Sequence, residues 1–377
     1  MKYRCFGLDT LHSVVGDRIL CRNLVPPDPG LPSYPRLRGE PGFTGRYPPR
    51  KSDPDYGRAV AGILQRTSAA DRPGTALRNL LYLGDTLMND GTAFENLRAA
   101  GGWRGALFIG SDEPGEASRA EGMGDRMAAG RWAALPLFLD RLEARGFPLG
   151  EDTVVVVDID KTAIAARGRN DRVIEAVRLE ALRGTVTALG GPCRDEGRFR
   201  EVYAVLKGPA FHAFTRDNQD TLAYVCLVVG AGLADLGTLV EAVRNGRLKR
   251  LEDFTEDLEH RRGDVEAAGL GTLHGRFRAA LRDGNPTPFP AFRAMEYRCT
   301  AARFGAADGK SVKALLAERI VLTREVIETA RRLRARGALV FGLSDKPDEA
   351  FFPDAAAAAA GLKPLHRLET EVVGEAT

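Results

Sequence analysis

Short uninterrupted apolar runs alternate along this chain with stretches in which apolar residues return every three or four positions. Val60, Ile63, Leu64 and Thr67 recur at helical spacing. Leu80 to Leu83 follow, a run short and apolar enough to be a buried strand. TAFENLRAAGG sets Phe94, Leu97 and Ala100 on one helix face with Gly101 as its stop, and ALFIG reads as another buried strand. A helix around Trp132 to Arg145 precedes Thr153 to Val157, whose consecutive valines suit a strand covered on both faces of a parallel sheet. Asp158 stands at its carboxyl end. The strand ALVFGL ends at Ser344 and leads into an Ala-rich helix over Asp348–Ala360, closed by Gly361. Helix and strand taken in turn predict a parallel α/β fold.

Two stretches interrupt the alternation. Val25 to Pro54 is crowded with Pro and Gly and predicts an irregular surface loop. From about Ala166 to Arg336 strand signals thin out and helical periodicity dominates, most clearly over Val312 to Arg336 with Leu315, Leu316, Arg319, Ile320, Val326, Ile327 and Leu333. The expected organisation is therefore an α/β core over 1–165, a mostly helical insertion over 166–335, and the rest of the core over 336–377. No internal repeat is visible.

Composition narrows the class. The 377 residues exceed the usual size of one core, and 44% hydrophobic with 28% charged residues describes an ordinary globular protein. Lys and Arg number 54 against 51 Asp and Glu, a net charge of +3 that makes no case for nucleic acid. RRLRAR, at 331–336, reads as a solvated helix face. Cys5, Cys21, Cys193, Cys226 and Cys299 are scattered, without a CxxC pair, and predict free thiols in a reducing cytoplasm. The longest apolar stretch, Leu222 to Leu233, is shorter than the ~20 residues of a membrane helix and reads as a buried helix. The first residues, MKYRCFGLDTLHS, lack the apolar core and cleavage site of a signal peptide.

The chemistry gathers where strands and loops end, the place at which open α/β sheets bind ligands. Four groups stand there: Asp85 with Asn89 and Asp90 in LLYLGDTLMNDG, Asp158 with Asp160 in VVVVDIDKT, Ser344, and Lys51 in RKSDPD. Asp158 and Asp160, one residue apart on extended chain, point to the same side. Such a pair suits a hard divalent cation, or a nucleophile beside an acid/base group. A solvated acidic loop explains either cluster alone but not all four groups together.

These segments resemble the four motifs of the haloacid dehalogenase (HAD) superfamily, most of whose members are phosphatases acting through an aspartyl-phosphate. VVVVDIDKT is similar to the first motif, DxDxT after a hydrophobic strand. ALVFGLSDKP is similar to the second, KSDPDYGRAVAGIL to the third, and LLYLGDTLMNDG to the fourth, GDxxxxD. Their order is third, fourth, first, second, which a circular permutation cut between the second and third would produce. The old ends would then be joined by roughly 111–152. The resemblance covers about 51–167 and 331–368. It implies a Rossmann-like three-layer parallel sheet, HAD-like and circularly permuted, with the insertion as a helical cap domain.

Residue by residue, the resemblance implies Asp158 as nucleophile and Asp160 as the acid that protonates the leaving oxygen and then activates water. Mg²⁺ would be held by Asp158, the carbonyl of Asp160, and Asp85, with Asp90 or Asn89 completing its shell through water or orienting Lys51. Lys51 would pair with Asp158 and the phosphoryl oxygens, Ser344 would hydrogen-bond the transferring group, and Thr162 would brace the loop. Lys363 also precedes a Pro, but Lys51 is followed, as the family requires, by a helix and the fourth motif. Lys346 reads as a loop residue near the site. The acid at Asp160 favours phosphoryl transfer over carbon–halogen cleavage.

Within the insertion PTPFPAFRAMEYR offers Arg293, Glu296 and Tyr297 as cap contacts to substrate, although an Arg293–Glu296 helix pair and a buried Phe292 explain the same letters without a ligand. FGAADGKS has three residues between its glycines where a phosphate-binding P-loop needs four, and reads as a turn entering a helix. CFGLDT reads as an edge strand or turn. His12, His212, His260, His274 and His366 show no metal-ligand spacing. The expected function is Mg²⁺-dependent hydrolysis of a small or medium phosphorylated metabolite. A phosphotransferase or phosphomutase, a nucleic-acid end-processing phosphatase, and a non-catalytic scaffold are the alternatives. No membrane partner is expected, and oligomeric state is not legible.

Overall fold

Nine strands order the described part of the chain, which in this computed structural model comprises residues 2–40, 43, 45–113, 124–188, 196–216 and 218–376. They are β1 (Tyr3–Asp9), β2 (Ile19–Leu20), β3 (Asn79–Gly84), β4 (Arg104–Gly110), β5 (Arg126–Ala129), β6 (Thr153–Asp158), β7 (Leu322–Thr323), β8 (Leu339–Leu343) and β9 (Thr370–Glu375). Six form one sheet in the order β2-β8-β6-β3-β4-β5, with every pairing parallel. The other three form a small sheet, β1-β9-β7, in which β1 and β9 run antiparallel. Cys193 and the middle of the 111–152 connection lie outside the described residues.

The apolar runs of the sequence are the central strands, and both faces are covered. Leu80, Tyr82, Val154, Val156, Leu339 and Phe341 pack with Tyr56, Val60, Ile63, Leu64, Phe94 and Leu97 from the helices Pro54–Asp71 and Thr92–Gly101. Strand residues alternate sides, so Leu81, Leu83, Val155, Val157 and Val340 face the other way. There the helices Leu135–Ala144 and Arg324–Ala335 close the third layer, Phe138 lying against Phe108 with ring centroids 5.6 Å apart. A Rossmann-like three-layer core results. From β3 the chain winds outward to β4 and β5, whereas from β6 it goes to β8 on the opposite side. The carboxyl ends of β3 and β6 therefore flank the point where strand order reverses, at which such sheets bind ligands.

The chain divides into two compact units, the first made of Met1–Ile174, Thr300–Phe352 and Ala358–Thr377, the second of Glu175–Cys299 with Pro353–Ala357. The helical insertion is thus narrower than the 166–335 its periodicity suggests. At its start Arg169, its side chain fully buried, pairs with Asp112 and Glu325 at 2.8 and 3.0 Å and holds 166–174 to the first unit. At its end the run over Val312–Arg336 is two helices, Val312–Glu318 and Arg324–Ala335, separated by β7, which pairs in parallel with β9. The Ala-rich helix is also shorter than expected. Pro353 removes an N–H and disfavours helical backbone at Phe352, leaving a 3₁₀ turn at Asp348–Ala350 and a helix at Ala355–Ala359.

The second unit is helical in its described residues. Gln219–Gly230, the apolar stretch of the sequence, is buried along nearly its whole length within a core that includes Leu182, Phe199, Phe254, Phe277 and Phe292. Ser311, at the end of the P-loop lookalike, caps the helix Val312–Glu318 by accepting from the Ala314 N–H at 3.3 Å. Among the described residues no helix is long and apolar enough to cross a membrane.

Candidate active site

The sheet register sets the frame of the site: Val157 pairs with Leu83 of β3, and Asp158 with Leu343 of β8. The chain segments following all three strands therefore emerge side by side. After β6 the backbone closes a tight loop in which Ile164 N–H reaches the Ile159 carbonyl at 3.0 Å and Ala163 N–H reaches that of Asp158 at 3.2 Å. Lys161 takes a positive φ of 63° to make the turn, an uncommon conformation for a residue with a side chain. Backbone strain of this kind collects at functional sites.

Asp158 is buried and both of its oxygens are engaged. Oδ1 lies 2.9 Å from Lys51 Nζ, and Oδ2 accepts from the Thr162 hydroxyl at 2.9 Å. Lys51 reaches inward from a turn closed by the Arg50 and Asp53 backbones, just before Pro54 opens its helix. Its ammonium also donates to Asp90 Oδ1 at 2.6 Å. A π-helical turn, Leu87–Gly91, follows β3 and carries Asp90 inward while leaving Leu87, Met88 and Asn89 exposed. Asn89 is thus no part of the site, and of the two residues the fourth motif offered, Asp90 occupies it.

Asp90 is saturated with donors. Its Oδ2 accepts from the N–H groups of Asp85 and Thr86 at 2.9 and 3.0 Å, and its Oδ1 accepts from Tyr82 Oη at 3.2 Å besides Lys51. Gly84 makes the approach possible, since a Cβ there would stand 2.5 Å from the Cβ of Asp90. Asp90 therefore orients Lys51 and closes the β3 loop. Asp85 turns the other way, its Oδ2 held by Arg167 Nε at 2.7 Å and Nη2 at 2.6 Å.

Asp160 and Ser344 form the other side. Ser344, at the end of β8, donates its hydroxyl to Asp160 Oδ2 at 2.7 Å and accepts from the Lys346 N–H at 3.1 Å. Lys346, buried, brings its Nζ within 3.0 Å of Asp160 Oδ1, but off the hydrogen-bonding direction.

Three carboxylates, Asp85, Asp90 and Asp158, bring ligand oxygens within 4.8 Å of one another. Burial, then the charge of Asp90, drives Asp158 well above the ordinary carboxylate range despite Lys51. Burial and the charge of Asp90 also lift Asp85 to about 7, against the pull of Arg167. Burial opposes ionisation of Asp90 as well, but the charge and hydrogen bond of Lys51 outweigh it and draw Asp90 down to about 2. Lys51, which burial alone would discharge, is held well above its usual value by Asp158 and Asp90. Two buried cations and three clustered carboxylates thus share one place, a concentration of perturbed ionisable groups of the kind that marks candidate functional sites.

The structure brings Lys51, Asp85, Asp90, Asp158, Asp160, Thr162 and Ser344 together and leaves Asn89 outside. Arg293, Glu296 and Tyr297 are interior residues of the helical unit, 1%, 0% and 1% exposed. Arg293 is clamped between Asp220 at 2.6 Å and Glu296 at 2.7 Å in a buried ion cluster. The helix pair read from the i,i+3 spacing is present. Sequence reading missed Arg167 and Tyr82 and set Lys346 aside. The hydroxyl of Tyr82 inside an otherwise apolar strand was a visible signal, whereas Arg167, nine positions after Asp158, carried none. Comparison of the chain with protein-family models, with curated proteins and with solved structures finds no match in any of the three.

Proposed function

We propose that this protein is an Mg²⁺-dependent phosphomonoester hydrolase, HAD-like and circularly permuted, that acts on a small or medium phosphorylated metabolite through an aspartyl-phosphate. The observation that carries this reading is Lys51, buried and bonded at once to Asp158 and Asp90. One lysine then both holds the nucleophile and offers its charge to a phosphoryl group. The strand order β8-β6-β3-β4 supports the permuted reading, because it sets the segments resembling motifs two, one and four side by side although the chain presents them as four, one, two. The helical unit is proposed as the cap.

The residues fit a hard cation. All donors are oxygens, which suits Mg²⁺, and since Asp90 is already saturated, Asp85 and Asp158 would hold the ion together with the carbonyl of Asp160. When bound, Mg²⁺ neutralises charge between the anionic nucleophile and the anionic substrate. Asp158 attacks phosphorus in line, forming the P–O bond of the acyl phosphate as the ester P–O bond breaks. Asp160 gives a proton to the departing oxygen, then takes one from the water that cleaves the aspartyl-phosphate. Thr162 and Lys51 fix the attacking carboxylate, and Ser344 and Lys346 fix the carboxyl of Asp160.

The test is phosphate release from a panel of phosphorylated metabolites, with Mg²⁺ or with chelator, for the native chain and Asp158→Asn. Metal-dependent release that vanishes in the variant is expected. Release that persists in Asp158→Asn, or no release from any compound together with no Mg²⁺ binding, overturns the reading.

A further inference from the structure

A second polar cluster lies in the first unit and involves none of the residues of the candidate active site. His12 belongs to the short helix His12–Val15, Asp17 follows it before β2, and His366 sits in the 3₁₀ turn Leu365–Arg367 just ahead of β9. Asp17 Oδ1 is 3.5 Å from His12 Nδ1 and 3.0 Å from His366 Nε2. All three ligand atoms lie within 4.8 Å of one another. A tetrahedral ion with bonds of about 2.0–2.1 Å holds its ligand atoms about 3.3 Å apart, and the two observed separations bracket that value.

The cluster is also built and incompletely satisfied. His366 is 1% exposed, its ring stacked on Phe351 at 5.8 Å and met edge-on by Phe352 at 6.2 Å. His12 Nδ1 is buried without a hydrogen-bond partner although a carboxylate faces it. Buried polar atoms are nearly always paired, so an orphan facing the cluster calls for an explanation. Arg367 donates to Asp17 Oδ2 at 2.6 Å, and its Nε approaches Oδ1 at 3.3 Å. It thereby orients the carboxylate as outer-shell groups do in metal sites.

We infer that His12, Asp17 and His366 form a binding site for a divalent transition ion of the Zn²⁺ class. Two imidazoles and a carboxylate select borderline ions over Mg²⁺, which prefers oxygen alone. The ion clamps the segment before β9 to the segment before β2, 349 positions apart in the chain. That separation is why local spacing in the sequence gave no hint of it.

The experiment is Zn²⁺ binding to the metal-stripped full-length chain, in competition with a chromophoric chelator, for the native protein, His12→Gln and Asp85→Asn. His12 is half-exposed, so its replacement spares the fold, whereas His366 is packed in the core. One equivalent is expected to bind, at least about tenfold more weakly in His12→Gln, since loss of even an outer-shell partner costs that much. Asp85→Asn is expected to bind Zn²⁺ as the native chain does. Zn²⁺ is also expected to raise the melting temperature of the native chain but not of His12→Gln. Equal affinity in the native chain and His12→Gln, or a loss confined to Asp85→Asn, overturns the inference. Because the readout is Zn²⁺ binding, it stands or falls independently of phosphate release.

Discussion

Replacing Lys51 by Met keeps the apolar stem and removes the ammonium from between two carboxylates. The side chains of Lys51, Asp90 and Asp158 are 6%, 2% and 6% exposed, so solvent cannot take over the charge. An exposed pair would cost about 0–1 kcal/mol to break, whereas removing one partner of a buried pair costs about 3–5 kcal/mol. The cost depends on pH, with a definite sign. In the native chain Lys51 draws Asp90 down to about 2, so its contribution is complete above the ordinary value of 3.8 and is lost only as pH falls toward 2. Without Lys51, burial lifts Asp90 above its unfolded value, and the variant loses stability as pH rises through that interval. The gap between the two proteins is therefore smallest at about pH 2 and below, where Asp90 is protonated in both, widens as pH rises, and reaches about 3–5 kcal/mol near neutrality. Urea unfolding in chelator, followed by tryptophan emission, measures it, because Trp103 and Trp132 are both buried in the first unit. Lys51→Met/Asp90→Asn is expected to recover part of the loss. A cost under about 1 kcal/mol at every pH would refute the reasoning, since only a screened pair behaves that way.

Gly84→Ala forces a Cβ to within 2.5 Å of the Cβ of Asp90, and overpacking of this kind costs about 1–3 kcal/mol; a shift in the urea midpoint together with loss of phosphate release is expected, and unchanged values for both would contradict the close approach. Asp85 titrates at about 7 in the fold against 3.8 in the unfolded chain, so it keeps its proton after the unfolded chain has lost its own, and stability falls as pH rises between those values. In chelator Asp85→Asn should remove that slope and be up to ~4 kcal/mol more stable at about pH 7.5; a slope unchanged in the variant counts against the assignment. Arg293→Met takes from the buried carboxylates of Asp220 and Glu296 the cation that each holds at 2.6 and 2.7 Å, with an expected loss of about 3–5 kcal/mol in the helical unit. Chemical denaturation followed by circular dichroism reads this, and full stability accompanied by a raised KM would instead restore a substrate role for Arg293.

Much of the site was legible because its residues sit at the ends of elements that local pattern encodes. Four valines before Asp158 specify a strand buried on both faces, and the apolar run before Asp85 does the same, so each carboxylate has to emerge at a strand's carboxyl end. The turn chemistry of Pro54 likewise sets Lys51 just ahead of a helix. Spacing alone left Asn89 and Asp90 equivalent, and the π turn decided between them through hydrogen bonds to Asp85 and Thr86.

Hydrophobic periodicity thus determined which segments are strands and helices, and with them the residues displayed at their ends, since burial of side chains at a period of two or 3.6 is a local property. Which strands are neighbours was decided by tertiary structure alone, as was the union of Lys51 with Asp158 across 107 positions and of Arg169 with Glu325 across 156. So were the true limits of the helical insertion and the capture of Asp85 by Arg167. These are contacts between charges far apart in the chain, and their energy depends on burial and distance, which exist only once the sheet has formed.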